Sequence, residues 1–220
     1  MPTYGQFCPV AMASEVLTER WTPLVVRELL CGSTRFNDLR RGVPLMSPSL
    51  LSKRLRTLER VGVVRRDGGE YRLTAAGEEL RPLIESMGRW GQRWARGDVE
   101  AKRHDASLLM WDIHRGIDTS RVPDRRVVIH FHLEGSSDRK SHFWLVLDGG
   151  TADLCVTDPG HDVDLEVAAH TATMVDYWMG RTDFAAAVRR GELTVEGPAR
   201  LARALPTWFR RSDFATVPLP

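Results

Sequence analysis

The chain has 220 residues, a formal net charge of +2, 42% hydrophobic and 27% charged residues, the balance of an ordinary folded protein with one large domain or two small ones. No apolar run approaches the roughly 20 residues that a helix needs to cross a bilayer, and the N-terminal residues lack the basic start and apolar core of a secretory leader. Three widely spaced cysteines, Cys8, Cys31 and Cys155, argue against a disulfide framework and, with the absence of a leader, set the cytoplasm as the expected compartment.

In chain order, Pro9 at a first helical position opens a helix predicted over 9–17. A second, over 20–30, carries Trp21, Leu24, Val25 and Leu29 on one face and stops at Gly32. A short helix over 35–41 buries Phe36 and Leu39. Ser47 is placed to cap the next helix, with Pro48 at its first position, where a missing N–H costs nothing. That helix, 48–61, has two opposed faces: Leu51, Leu55 and Leu58 on one, Ser49, Lys53, Arg56 and Arg60 on the other. Val63-Val64 and Tyr71 to Leu73 flank an Asp-Gly turn signal and predict a β-hairpin. Thr74 caps a long helix from Ala75 to about residue 96, with Leu80, Leu83, Ile84, Met87, Trp90 and Trp94 on one side. This order is that of a winged helix-turn-helix.

Small and charged residues over 97–103 read as a linker, which divides the chain into domains 1–97 and 98–220. The second domain opens with a helix over 105–115. Strands follow over 126–134, 141–147 and 152–157, with a fourth over 163–167. Helices over 171–179 and 183–190, a strand over 193–196 and a helix over 198–209 complete an α+β layout with a mainly antiparallel sheet covered by helices.

Charge follows the same division. Residues 1–97 hold 16 Lys and Arg against 10 Asp and Glu, whereas 98–220 hold 15 against 19. Arg35 to Arg72 alone holds 10 basic and 4 acidic residues, a positive segment of the kind that meets phosphates. Within it, Ser49 and Lys53, with Leu50 beside them, lie near the start of the cationic helix, where side chains reach base edges in a major groove. Arg56 and Arg60 lie farther along, as phosphate ligands do. The hairpin-stem residues Arg65, Arg66 and Arg72 face backbone or minor groove, and Arg35, Ser47 and Arg54 complete the set of DNA-binding candidates. The hairpin tip, Asp67-Gly-Gly-Glu70, is acidic at both ends and unsuited to insertion among phosphates.

Cys8-Pro-Val, Glu19-Arg-Trp-Thr-Pro-Leu-Val-Val-Arg-Glu-Leu-Leu30, Arg35-Phe-Asn-Asp-Leu-Arg-Arg41, Ser47-Pro-Ser-Leu-Leu-Ser-Lys-Arg-Leu-Arg-Thr-Leu-Glu59 and Tyr71-Arg-Leu-Thr-Ala-Ala-Gly77 together resemble the HxlR family of bacterial regulators. The resemblance implies a homodimer built from the first and last helices of the domain, one recognition helix per subunit, and a palindromic operator in double-stranded DNA. The wing is shorter than in many members. In some HxlR-like proteins a Cys-Pro cysteine senses oxidants or electrophiles; Cys8, just before a helix start, stands at that position.

Asp164-Leu-Glu-Val and Met179-Gly-Arg-Thr-Asp-Phe-Ala-Ala-Ala-Val-Arg-Arg-Gly-Glu-Leu-Thr-Val-Glu-Gly197 resemble a sterol-carrier-protein-like domain, which implies an apolar tunnel for hydrophobic molecules. Trp111, Phe131, Phe143, Trp144, Met174, Trp178, Phe184 and Trp208 are the candidate tunnel residues. His130, His132 and His142 lie on neighbouring strands, but no carboxylate has ligand spacing, so no metal and no cofactor is assigned. Nor is there a nucleophile–base signature or phosphate loop, and the chain is not read as an enzyme. The expectation is a DNA-binding transcription regulator controlled by a small hydrophobic or aromatic ligand. The alternatives are a hydrophobic-molecule carrier that uses the first domain for dimerisation, and a regulator whose second domain is purely structural.

Overall fold

The computed structural model describes residues 3–95, 104–136 and 139–218. The expected linker over 97–103, the far end of the expected long helix and the centre of the 135–140 loop lie outside them. Two compact units are present, Met1–Trp90 and Gly91–Pro220.

The first unit runs α1 (Pro9–Leu17), α2 (Thr22–Leu30), α3 (Phe36–Gly42), α4 (Pro48–Arg60), a hairpin of β1 (Val64–Asp67) and β2 (Glu70–Leu73), α5 (Ala75–Glu78) and the start of α6 (Arg81–Trp94), whose last four residues fall past the unit's end at Trp90. Its core joins Val25, Val26 and Leu29 of α2 to Leu39 of α3, Leu51, Leu55 and Leu58 of α4, and Val64. Helix α2 starts two residues later than the sequence suggests, because Trp21 takes a left-handed conformation with φ of 79°. The single helix expected from Ala75 is two helices. Pro82 has no N–H to return to Glu78; Glu79 still donates to Ala75 at 3.1 Å, but Leu80 donates to Gly77, three residues back, and the helix is interrupted over residues 79 and 80. The turn of the hairpin has Gly68 and Gly69 at φ of 56° and 91°, the doubly left-handed pair that a two-residue connection between twisted strands requires.

The second unit runs α7 (Ala106–Arg115), a short 3-10 turn (Thr119–Arg121), β3 (Val127–Glu134), β4 (His142–Asp148), β5 (Thr151–Cys155), β6 (Leu165–His170), α8 (Thr171–Trp178), α9 (Phe184–Arg189), β7 (Leu193–Glu196) and α10 (Ala199–Trp208). The five strands form one sheet in the order β5-β4-β3-β6-β7; β3 and β6 are parallel and every other neighbouring pair is antiparallel. The unit is α+β, with helices gathered on one face. Strand β6 begins later than expected because Asp164 is a clamp beside the sheet. Its N–H donates to the Val128 carbonyl, and its carboxylate accepts the Val128 N–H, each at 2.9 Å.

Side-chain alternation separates the two faces. Ile129, Phe131 and Leu133 of β3, Phe143 and Leu145 of β4, and Leu165 and Val167 of β6 meet Met110, Met174, Leu205 and Trp208 from the helices in one core. The other face carries His130 and His132 of β3, His142 and Trp144 of β4, and Glu166 of β6; His130 is level with Trp144 and Glu166, and His132 with His142. Phe143 and Trp144 are consecutive on a strand and cannot both face the helices. Trp144 is therefore removed from the set of tunnel candidates.

Candidate functional site

Helix α4 and the elements that fix it form the candidate nucleic-acid interface. The Ser47 hydroxyl accepts the Leu50 N–H at 3.3 Å, a cap that stabilises the first turn by about 1 kcal/mol. Leu51, Leu55 and Leu58 are fully buried, so the helix is pinned along its whole length and the opposite face is set by geometry. On that face Ser49, Lys53, Arg56 and Arg60 are exposed. Lys53, Arg56 and Arg60 make no ion pair among the described residues.

The remaining candidates are engaged within the protein. Arg54 is turned inward, its side chain 11% exposed, paired with Glu19 and donating to the Arg20 carbonyl at 3.1 Å. It ties α4 to the segment before α2. Leu50 packs against the core. Arg65 pairs with Asp67 at 2.9 Å, Arg72 with Glu70 at 2.6 Å and Arg35 with Glu70 at 3.5 Å. Asp67 and Glu70 stand directly opposite each other in the hairpin, a like-charge pair that these arginines offset. Arg66 lies over the Tyr71 ring at 5.6 Å. The wing thus consumes much of its own positive charge, and the unpaired cations concentrate on α4.

Two buried details hold this geometry, and sequence reading missed both. Glu28 is fully buried beside Arg27, whose guanidinium also donates to the Gly42 carbonyl at 3.1 Å. A side chain at Gly42 would occupy the space of the Glu28 carboxylate, so glycine at the end of α3 is what lets that carboxylate lie inward. Nothing in the Arg-Glu-Leu-Leu run marks its glutamate as the inward one. Gly77 plays a similar part: a Cβ there would press on the Val63 carbonyl oxygen and on Leu73. Thr74 accepts the Gly77 N–H at 3.2 Å and donates to the Gly62 carbonyl at 2.6 Å.

Cys8 is the residue before α1. Amide N–H groups of Ala11 and Val10 at the helix start hold its thiol below the ordinary cysteine range, against a smaller opposing effect of burial. All three cysteines are free thiols.

In the second unit, Phe131, Phe143, Met174, Phe184 and Trp208 are core residues, and Trp178 packs against that core. Trp111 is buried outside it, stacked on His114 at 5.0 Å with Arg115 over its ring. On the opposite face the rings form a column. His142 lies parallel between His132, at 4.5 Å, and His130, at 5.2 Å, and His130 lies on Trp144 at 4.8 Å. His130 Nε2 and His142 Nδ1 are 3.0 Å apart. Burial lowers the His130 pKa, with Glu166 opposing and His142 and His132 assisting. Asp158, in the 156–164 connection, also bears on His130. Among the described residues no group of His, Cys, Asp and Glu is arranged to hold a metal, and no helix is long and apolar enough to cross a membrane.

The sequence model of the HxlR-like helix-turn-helix family matches residues 16–98, and that of the SCP-2 sterol transfer family matches residues 122–210. The chain is 37% identical over 98 residues to the HTH-type transcriptional regulator YvaP of Bacillus subtilis, covering 41% of this chain and 91% of YvaP. It is 35% identical over 112 residues to the HTH-type transcriptional regulator sll1512 of Synechocystis sp., covering 48% of this chain and 80% of that protein. Among solved structures, quinone-bound YodB from B. subtilis aligns at 32% identity over 38% of this chain and 97% of YodB, with a TM-score of 0.36.

Proposed function

Because the chain belongs to the HxlR-like helix-turn-helix family, we propose that it is a homodimeric transcription regulator that lays α4 in the major groove of a palindromic operator. The observation that carries this reading is the row of Ser49, Lys53, Arg56 and Arg60 on the exposed side of a capped, leucine-pinned helix. Ser49 and Lys53 are nearest the N-terminal end and meet base edges, whereas Arg56 and Arg60 meet phosphates. Arg54 is excluded from that role by its pairing with Glu19. The wing contributes through Arg66 and through whatever charge its acidic tip leaves to Arg65 and Arg72.

The division of labour is 1–97 for DNA and dimerisation and 98–220 for a ligand. The SCP-2 match supports binding of a small hydrophobic molecule in the second unit. Such a ligand controls transcription only if it binds the DNA-competent and incompetent states with different affinity.

The test is binding to the DNA upstream of the protein's own gene across a salt series, for wild type and Lys53→Ala/Arg56→Ala. Steep salt dependence and at least a roughly 10-fold loss in the double variant are expected, each contact being worth on the order of 1 kcal/mol. Binding no tighter than to random DNA, from upstream regions and from a genomic fragment selection alike, would favour the carrier reading instead.

A further inference from the structure

From the turn that leads into α4, we infer that Leu45 reads the C5 methyl group of a pyrimidine in each operator half-site, so that binding responds to methylation at that one ring position. Leu45 stands between two buried neighbours. Val43 and Met46 belong to the core of the first unit, and the Met46 N–H donates to the Val43 carbonyl at 2.9 Å. That bond closes a four-residue turn with Pro44 and Leu45 at its tip. Leu45 is 83% exposed, and among the described residues only Phe7 shows a larger fraction of a large apolar side chain.

A single surface leucine ordinarily calls for no explanation, but the placement of this one does. Turn tips are commonly Gly, Asn, Asp or Ser, whose polar atoms or bare backbone suit water. Here proline fixes its own φ beside the leucine, and core residues hold both ends of the turn. The apolar side chain is therefore presented from a rigid base, which reduces the ordering cost of binding. The turn also lies at the end of α4 that matters. Leu45 precedes the capping Ser47 by two residues, so their Cα atoms are within about 7 Å, and residues at a recognition helix's N-terminal end reach base edges.

The charge pattern is a second, independent observation. The exposed residues between 44 and 49 are Pro44, Leu45, Ser47, Pro48 and Ser49, none of them charged. Arg40 and Arg41 are exposed before this interval and Lys53 after it. A neutral interval flanked by cations suits base edges that lie between phosphate chains. On the major-groove edges the apolar group is the C5 methyl of thymine; adenine, guanine and unmodified cytosine present hydrogen-bonding atoms. Leu50, the other apolar residue near the helix start, packs inward, which leaves Leu45 to make the apolar contact.

The inference rests on the reading of α4 as the helix that enters the groove, and its test separates the two. The full-length protein first selects an operator from random duplexes. Each thymine of that operator is then replaced by uracil, symmetrically in both half-sites, which removes the methyl and leaves every hydrogen-bonding atom in place. One such replacement is expected to weaken binding about 15-fold, or about fourfold per half-site for one buried methyl group. At the same position, with guanine opposite, 5-methylcytosine should bind more tightly than cytosine by a similar factor. Leu45→Ala should lose affinity for the thymine operator to a similar degree and no longer distinguish thymine from uracil there. It should keep the wild-type salt slope, because no phosphate contact is lost. The uracil series needs no variant and holds even if Leu45→Ala fails to fold. A uracil effect without a 5-methylcytosine effect supports the contact with thymine as its only source. An operator that tolerates every uracil, or a uracil effect of undiminished size in Leu45→Ala, would overturn the inference and leave the regulator reading standing. Failure to select any operator removes both.

Discussion

Gly77 shows how one residue type fixes the junction between wing and helix. Its amide is the donor that Thr74 captures, and its missing side chain lets the Val63 carbonyl and Leu73 close over it. Gly77→Ala forces backbone, not only a side chain, to move, so a loss of about 2–3 kcal/mol is expected. Urea unfolding of the first unit should show a lower midpoint at unchanged slope; an unchanged midpoint would mean that the junction is looser than described. Cys8 is a residue-scale feature of another kind. Donors from the start of α1 stabilise its thiolate, so its alkylation by iodoacetamide should rise with pH through a midpoint below the ordinary thiol pKa of about 8–9. A midpoint at or above that range would remove the basis for any sensing role. Residues such as these mark the limit of sequence reading. The Cys-Pro step announces a helix start locally, but the inward turn of Glu28 depends on Gly42, fourteen positions away, and no local pattern carries it.

The elements legible in the sequence were those whose signals are local and redundant. Helix α4 has a cap, a proline and a leucine triad, and its bounds and faces follow from these alone. The break between α5 and α6 was missed because apolar periodicity continues through Leu80, Leu83 and Ile84 while Pro82 interrupts the hydrogen bonds beneath it. The sheet was legible strand by strand but not face by face. Register places Trp144 and three histidines together on the side away from the helices, and register is a long-range property. That column has a consequence for stability. His130 has its pKa lowered in the folded state by burial, assisted by His142 and His132 and opposed by Glu166 and Asp158. The unfolded chain, with a histidine pKa of about 6.5, then binds more protons than the folded one in the window just below that value. The His130 contribution is fully present above pH of about 6.5 and is lost as pH falls through that value toward the folded-state pKa. His130→Gln should flatten the acid side of the stability profile of the second unit, measured by thermal unfolding between pH of about 5 and 7.5. An identical profile in wild type and variant would show that another group carries the acid dependence.

At the scale of the whole molecule, α6 is the element on which the proposed dimer rests. It buries no residue completely. Leu80, just before it, and Ile84 pack against the core of the first unit, but Leu83, Met87, Trp90 and Trp94 line the outer face at spacings of four, three and four. Trp90 and Trp94 are 63% and 60% exposed. Near α1, Phe7, Val10 and Met12 are exposed as well. Apolar rows of this kind on a single chain mark a surface that a partner covers, and a second copy is the occupant that the proposed dimer on a palindromic operator would supply. Pairing also brings the charge needed for tight binding. Lys53, Arg56 and Arg60 give three unpaired cations per chain, six in a dimer, so log affinity should fall with log salt at a slope of roughly −5. Met87→Glu/Trp90→Glu places charges in the apolar row without touching α4. The expected product sediments as a folded monomer, binds single half-sites at about half that slope, and loses at least on the order of 100-fold in affinity for the full operator, because two half-sites are no longer engaged together. A variant that remains dimeric with full operator affinity would move the dimer contact away from α6 and leave its aromatic row to a different partner.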